Sequence, residues 1–195
     1  MSYRIEDRRL DAYVRDLKAS LLHERGLFDE AVDIYRGVLR AYEELGEDQN
    51  ITLTLYDLGT TLVEAGRVEE GLSLIRESMA RATELGDPRL RAMSAIFYGR
   101  ALYRVGRYEY AIAPLKAAFL IARDREMAQQ AFDCAFYLWK LSGEKGFPNE
   151  GDWLEAARRY RSGVDMRSAE TAEFDAWLAN DRKKMRPGRK PNDVM

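Results

Sequence analysis

Four polar side chains that could bind a ligand recur at intervals of forty residues: Ser20, Thr60, Arg100 and Lys140. In a chain that repeats one structural unit at this interval, they occupy equivalent positions and form a single column. The column changes from neutral hydroxyls to cations along its length. A guanidinium and an ammonium hold acidic groups through charge-assisted hydrogen bonds, so the column predicts recognition of an acidic ligand.

Residues that perform catalysis or hold metals are scarce. His23 is the only histidine and Cys134 the only cysteine, which excludes an internal disulfide and a cysteine-rich or histidine-rich metal cluster. Cys134 lies in an apolar segment, where a buried and unreactive thiol is expected. The glycine-rich phosphate-binding motifs and the nucleophile elbow of hydrolases do not occur. We therefore expect no enzyme, no cofactor and no metal site.

The composition predicts a folded protein of the cytoplasm. Of the 195 residues, 46% are hydrophobic and 33% are charged, which is typical of a globular chain. No segment approaches the roughly 20 apolar residues of a membrane helix, and the first residues lack the apolar core of a signal peptide. The net charge of −2 divides unevenly, because residues 181–195 carry six Lys or Arg against two Asp. This tail has a net charge of +4, which leaves −6 for residues 1–180.

The elements that must position the column are helices joined by regularly spaced turns. Gly26, Gly66 and Gly106 lie in the similar segments RGLFDEA (25–31), AGRVEEG (65–71) and VGRYEYA (105–111). Glycine adopts the left-handed conformation that ends a helix, so each segment predicts a turn between two helices. The second helices are predicted to end at Gly46 and Gly86, after which Asp87 caps the next helix and Pro88 starts it.

Small residues recur where the two helices of each unit should cross. In the first helices they are Ala19, Gly59 and Gly99, and in the second helices Ala31, Gly71 and Ala111. A glycine within a helix costs about 0.8–1 kcal/mol relative to alanine. Its repeated use at this position predicts close contact between the two backbones of each helical hairpin.

These motifs resemble tetratricopeptide repeats. The matching segments are LYDLGTTLVEAGRVEEGLSLI (55–75), AIFYGRALYRVGRYEYAIAPL (95–115) and, mainly in its second half, RDLKASLLHERGLFDEAVDIY (15–35). Arg15 and Lys18 stand in slots that are usually apolar, as expected of a terminal unit. The period is forty rather than about 34 residues, as in the long repeats of kinesin light chains and bacterial peptide-sensing regulators. The resemblance implies an all-α superhelical array of antiparallel helix hairpins.

The resemblance also predicts the organisation of the chain. We expect four repeats at about 12–46, 50–86, 89–124 and 126–162, of which the fourth is divergent. A helix at about 168–182, capped by Ser168, is expected to cover the open end of the array with Phe174, Trp177 and Leu178. Residues 183–195, which include three prolines or glycines, are predicted to be a flexible basic tail.

The first helix of each hairpin should line the hollow side of the array. The residues predicted to contact a partner there are Tyr13, Asp16, Ser20, Tyr56, Thr60, Arg100, Tyr103, Arg104, Phe136, Tyr137 and Lys140. The resemblance implies a protein or peptide partner, and the cations and aromatic rings favour one with acidic and aromatic groups. Asp16 and Asp57, at the other end, suit a basic residue of the same ligand.

Two further interactions stay open on the sequence alone. The basic tail could contact nucleic acid while the array mediates self-association, but the tail has no aromatic residue to stack on bases, which argues against this alternative. The chain could also form a homodimer through an end helix or through the region of Trp153 and Trp177.

Overall fold

The computed structural model describes residues 2–144, 152–164 and 168–185, with side chains for residues 5–143, 152–164 and 168–181. Within these ranges the chain forms only helices, and no strand is present. The helices are α1 (Ser2–Glu24), α2 (Phe28–Leu45), α3 (Asp48–Glu64), α4 (Val68–Glu84), α5 (Pro88–Arg104), α6 (Tyr108–Asp124), α7 (Ala128–Glu144), α8 (Trp153–Arg161) and α9 (Ala169–Met185). None of them is long and apolar enough to cross a membrane.

Consecutive helices pack against each other and form a linear array of hairpins. The pairs α1–α2, α3–α4, α5–α6 and α7–α8 make the hairpins, and each second helix also contacts the next first helix. The first helices contact one another as well, from α1 to α3, α5 and α7. The predicted all-α array is therefore confirmed, although its first helix extends to Ser2 rather than starting near residue 12.

Left-handed glycines form the corners of the array, as the sequence predicts. Gly26, Gly66 and Gly106 have φ angles of 75°, 84° and 78°, and Gly46 and Gly86 have φ angles of 69° and 67°. After Gly66, the N–H of Arg67 donates to the carbonyl of Leu62 at 2.8 Å, which satisfies an acceptor at the helix end. The predicted cap of α5 is also present, since Asp87 accepts hydrogen bonds from the N–H groups of Arg89 and Leu90.

The small residues allow the backbones of a hairpin to touch. A β-carbon added to Gly71 would lie 2.4 Å from the carbonyl oxygen of Gly59, and one added to Gly59 would lie 2.7 Å from that of Gly71. In the next hairpin, a β-carbon on Gly99 would lie 2.5 Å from Cγ of Leu115. These distances are far shorter than van der Waals contact, so the crossings require glycine.

The C-terminal end of the array is covered by α9, which confirms the predicted capping helix. Ser168 begins it by accepting a hydrogen bond from the N–H of Thr171 at 3.2 Å. Phe174 is fully buried between the rings of Phe132 and Trp139, and Trp177 packs edge-on against Trp139 with centroids 4.8 Å apart. Gly146, which stands forty residues after Gly106 and would be the corresponding corner of the fourth repeat, lies outside the described residues.

One corner of the array departs from the glycine pattern. Glu126 stands forty residues after Gly86 and takes the left-handed conformation with a φ angle of 56°. It ends α6 in the same way, because the next residue, Met127, donates to the carbonyl of Ala122 at 2.8 Å. A residue with a β-carbon is strained in this conformation by about 1–2 kcal/mol.

We predict that Gly71→Ala lowers the free energy of unfolding by about 1–3 kcal/mol, because the methyl group collides with the backbone of α3. The matched control is Gly37→Ala, since Gly37 lies within α2 and its added β-carbon would meet only Nη1 of Arg15 at 3.7 Å. That variant should be more stable by up to about 1 kcal/mol. Urea unfolding measures both, and equal effects would contradict the close crossing.

We predict that Glu126→Gly raises the free energy of unfolding by about 1 kcal/mol, because it removes left-handed strain from an exposed residue. The reciprocal variant Gly86→Glu should lower the free energy of unfolding by a similar amount. Thermal and urea unfolding of the two variants give the comparison, and a loss of stability in Glu126→Gly would contradict the assigned strain.

Candidate peptide-binding face

The first helices α1, α3, α5 and α7 build one continuous surface, here called the first-helix face. Side chains join its helices in order. His23 of α1 lies 2.9 Å from Thr61 of α3 through Nδ1 and Oγ1, and Tyr56 of α3 stacks on Phe97 of α5 with centroids 4.2 Å apart. The ring of Tyr103 on α5 meets the ring of Tyr137 on α7 at 5.3 Å. Residues that are distant in sequence thus form one surface.

At the C-terminal end of this face, α9 supplies the acidic partners of the predicted cations. Nη2 of Arg100 lies 2.7 Å from Oε1 of Glu170, and the hydroxyl of Tyr137 donates to the same oxygen at 2.9 Å. Nζ of Lys140 lies 2.6 Å from Oε1 of Glu173. The chain itself therefore holds carboxylates at the place where the sequence suggests an acidic ligand.

Aromatic rings surround these ion pairs. Nζ of Lys140 lies 5.4 Å from the ring centroids of both Tyr103 and Phe136, and the guanidinium of Arg100 lies 5.7 Å from that of Tyr137. Cations at this distance from a ring face are attracted by its electron density. Phe136 is only 1% exposed, so its side chain belongs to the core beneath the face rather than to its surface.

Burial and charge set opposite pKa shifts in this cluster. Burial disfavours the charged form of Glu170, but the charge of Arg100 and the hydrogen bonds that the carboxylate accepts outweigh it, and the pKa of Glu170 lies below its ordinary value. Asp133 lies nearby on α7 and accepts a hydrogen bond from Nε2 of Gln129 at 2.8 Å. Burial raises the pKa of Asp133 to about 7, although Arg100 and Gln129 act in the opposite direction.

In the middle of the face, Glu64 links three helices. It forms an ion pair with Arg104 of α5 and lies 3.6 Å from Nε2 of His23 on α1. Burial, together with the charge of Arg104, lowers the pKa of His23. Beside Glu64, the hydroxyl of Thr60 is buried and has no hydrogen-bond partner among the described residues. It borders a small cavity of about 20 Å³ that Phe97, Arg100 and Arg104 also line.

Two carboxylates without a cation lie at the N-terminal end. Among the described residues, neither Asp16 nor Asp57 forms an ion pair, and Oδ1 of Asp16 is buried without a hydrogen-bond partner. Burial raises the pKa of both, and the neighbouring charge of Asp16 raises that of Asp57 further. Burial raises the pKa of Tyr35 and Tyr56, and the charges of Asp57 and Asp16 raise it further. This end of the face thus has an unbalanced negative charge.

The structure places the sequence-predicted residues at several depths. Tyr13 is 53% exposed, whereas Tyr56 and Tyr137 are buried, with exposures of only 6% and 7%. Sequence reasoning missed Glu64, Glu170 and Glu173, which hold the predicted cations. The last two are three residues apart on α9 and share one side of that helix, which is the only local signal for them.

Comparison with known proteins agrees with this geometry. Residues 50–124 match the family described as tetratricopeptide repeat. This part of the chain, from α3 to α6, carries tetratricopeptide repeats. Two crystal structures share this fold at 15% identity and a TM-score of 0.56. Both show nearly identical tetratricopeptide-like repeats of a putative kinesin light chain from Podosopora anserina. Each match covers 92% of this chain. It covers 99% of the chain in the first structure and 98% of the chain in the second, which is a point variant of the same protein.

A third match is more distant. The crystal structure of PlcR from Bacillus thuringiensis, in complex with the peptide PapR7 and DNA, shows 13% identity and a TM-score of 0.47, with 93% of this chain and 73% of that one covered. No curated protein matches the chain by sequence. At these identities, the solved structures of the kinesin light chain repeats establish the fold of the tetratricopeptide array alone.

We predict that Asp133→Asn raises the free energy of unfolding at pH 8 and removes the contribution of Asp133 to the pH dependence of that free energy. Because the folded pKa of about 7 exceeds the ordinary value of 3.8, the folded state binds the proton more tightly, and stability falls as pH rises from about 4 to 7. The gain at pH 8 should be on the order of 1–4 kcal/mol and should vanish near pH 4. Urea unfolding across this pH range checks it, with Asp33→Asn on the exposed side of α2 as the control. A gain that does not change with pH would contradict the shift.

Proposed function

We propose that the chain binds an extended or helical segment of a protein partner along the first-helix face. Tetratricopeptide repeats are interaction modules, and the helical hairpins of such arrays leave their first helices on the hollow side, which is the usual place for a ligand. The family supports this general role and an array without catalytic function.

The observation that carries the proposal is the unbalanced charge of Asp16 and Asp57. The cations of the face are already paired, Arg100 with Glu170 and Lys140 with Glu173. The partly buried carboxylates at the opposite end have no such partner among the described residues, and burial raises the pKa of both. A lysine or arginine of a ligand placed between them would relieve both effects.

Neighbouring groups support a segment with a basic residue. The exposed ring of Tyr13 stands on the same helix as Asp16 and offers a face for the aliphatic stem or the charge of that residue. The ligand therefore crosses α1 and α3, with its basic residue between Asp16 and Asp57.

This proposal differs from the acidic ligand that the column of Arg100 and Lys140 suggests. An acidic segment would have to displace Glu170 and Glu173, and with them a helix whose Phe174 is fully buried. A basic segment at Asp16 and Asp57 requires no such displacement. The alternative contact between the basic tail and nucleic acid depends on residues whose side chains lie outside the described ones, and no observation favours it.

We predict that the protein selects peptides with a lysine or arginine at a fixed position from a phage-displayed library of random dodecapeptides. Asp16→Asn with Asp57→Asn should lose this preference, because the variant keeps the shape of the face and removes its charge. The same double variant should fold at least as stably as the unchanged protein, since two partly buried charges without an ion-pair partner disappear.

The matched control is Asp33→Asn with Glu43→Gln, which removes the same charge from exposed positions of α2. It should select the same peptides as the unchanged protein. Basic motifs that persist in the Asp16 and Asp57 variant, or that disappear in the control, would contradict the proposed site. Selection of acidic peptides would favour the column of Arg100 and Lys140 instead.

A further inference from the structure

Helix α1 has two apolar sides, of which the rest of the chain covers only one. Ala12 and Ala19 are fully buried against α2 and α3. On the opposite side, Leu10, Val14, Leu17 and Leu21 form a stripe along the helix, and they are 61%, 55%, 51% and 47% exposed. Four large apolar residues in one row are more than a surface helix normally leaves in water. This row is called the α1 stripe.

The two ends of the array differ in how far the described residues cover their apolar side chains. At the C-terminal end, α9 covers α7 and buries Phe174 completely. At the N-terminal end, no described residue covers the α1 stripe, although the terminal unit of a stacked array needs a polar outer surface or a partner. In the sequence of residues 186–195, the only large apolar side chains apart from proline are those of Val194 and Met195.

We propose that the α1 stripe is the interface with a second copy of the chain, packed antiparallel about a two-fold axis. The four residues follow one another at intervals of four, three and four, so the stripe has the same spacing in both directions. In an antiparallel pair, Leu10 then faces Leu21 of the second copy, and Val14 faces Leu17. These intervals are those of the core of a two-helix coiled coil, and a two-fold interface must be complementary to itself in this way.

Charges beside the stripe select the antiparallel arrangement. Asp11 and Lys18 flank it on the same side, one heptad apart. Asp11 forms an exposed ion pair with Arg15 of its own helix at 2.7 Å, whereas Lys18 pairs with no acid among the described residues. About the two-fold axis, Asp11 of each copy faces Lys18 of the other, which gives two attractive pairs. A parallel pair would instead bring Glu6 beside Asp11 of the second copy, where like charges repel.

The test uses the full chain and measures its mass in solution by light scattering at high micromolar concentration. The unchanged protein should have twice its chain mass of 22.5 kDa. Asp11→Lys and Lys18→Asp, each alone, replace both attractive pairs by repulsive ones and should weaken dimerisation at least about tenfold. The double variant Asp11→Lys with Lys18→Asp exchanges the charges, restores both pairs and should dimerise again.

A mixture of the two single variants makes the test specific for this geometry. Each variant repels itself, but the pair of Asp11→Lys with Lys18→Asp is complementary at both contacts, so the mixture should form heterodimers. Parallel packing or a different interface gives no such rescue. Failure of both the double variant and the mixture to dimerise would overturn the antiparallel arrangement.

Val14→Glu with Leu17→Glu tests the stripe itself. Both side chains are about half exposed, so the helical signal by circular dichroism should not change, whereas the mass should fall to that of one chain. A dimer that persists in this variant, or an unchanged protein that stays monomeric, would overturn the proposal. Because neither residue belongs to the acidic end of the first-helix face, peptide selection by the variant should be unaffected.

Discussion

The architecture depends on the contact between two backbones in the second hairpin. Gly59 and Gly71 are so close that a single added carbon on either would lie less than 3 Å from a carbonyl oxygen of the other helix. Each helix accepts the conformational cost of a glycine, and in return the two axes approach closely enough for Leu62, Leu72 and Ile75 to be buried around the crossing. The next hairpin uses the same device with Gly99 and Leu115. The regular crossing keeps α1, α3 and α5 side by side, and their contacts create the first-helix face.

Charge on this face is distributed by the way in which the array ends. The helix that covers the last hairpin carries two glutamates, and these neutralise Arg100 and Lys140. The apolar side of the same helix buries Phe174, so one element provides both the hydrophobic cover and the counter-charge. At the opposite end, Asp16 and Asp57 have no equivalent partner among the described residues. The distribution of charge along the first-helix face therefore depends on α9, which covers only the C-terminal end of the array.

Much of the fold could be predicted from local sequence because each signal acts over a few residues. Left-handed glycines such as Gly66, the cap at Asp87 and the small residues at the crossings are dictated by backbone sterics alone. The pairing of Arg100 with Glu170 could not be predicted, since it depends on the path of a chain segment seventy residues away. The left-handed Glu126 was also missed, because tertiary packing imposes there a conformation that its residue type disfavours. The burial of Phe136 was also not predicted. Equivalent positions in successive repeats indicate which side of the helix a residue occupies, but not how far neighbouring side chains cover that residue.

The double role of α9 limits how this array can evolve. A solenoid usually lengthens by duplication of a unit, and each new hairpin needs only to match the apolar surface before it. Here a fifth hairpin inserted after α8 would move Glu170 and Glu173 away and leave the partly buried guanidinium of Arg100 without an anion. Growth at this end would thus require a new acidic side chain at the right height as well as a new core. Growth at the other end would leave these ion pairs intact, but a new hairpin there would have to cover the α1 stripe and would take the place of the proposed second copy.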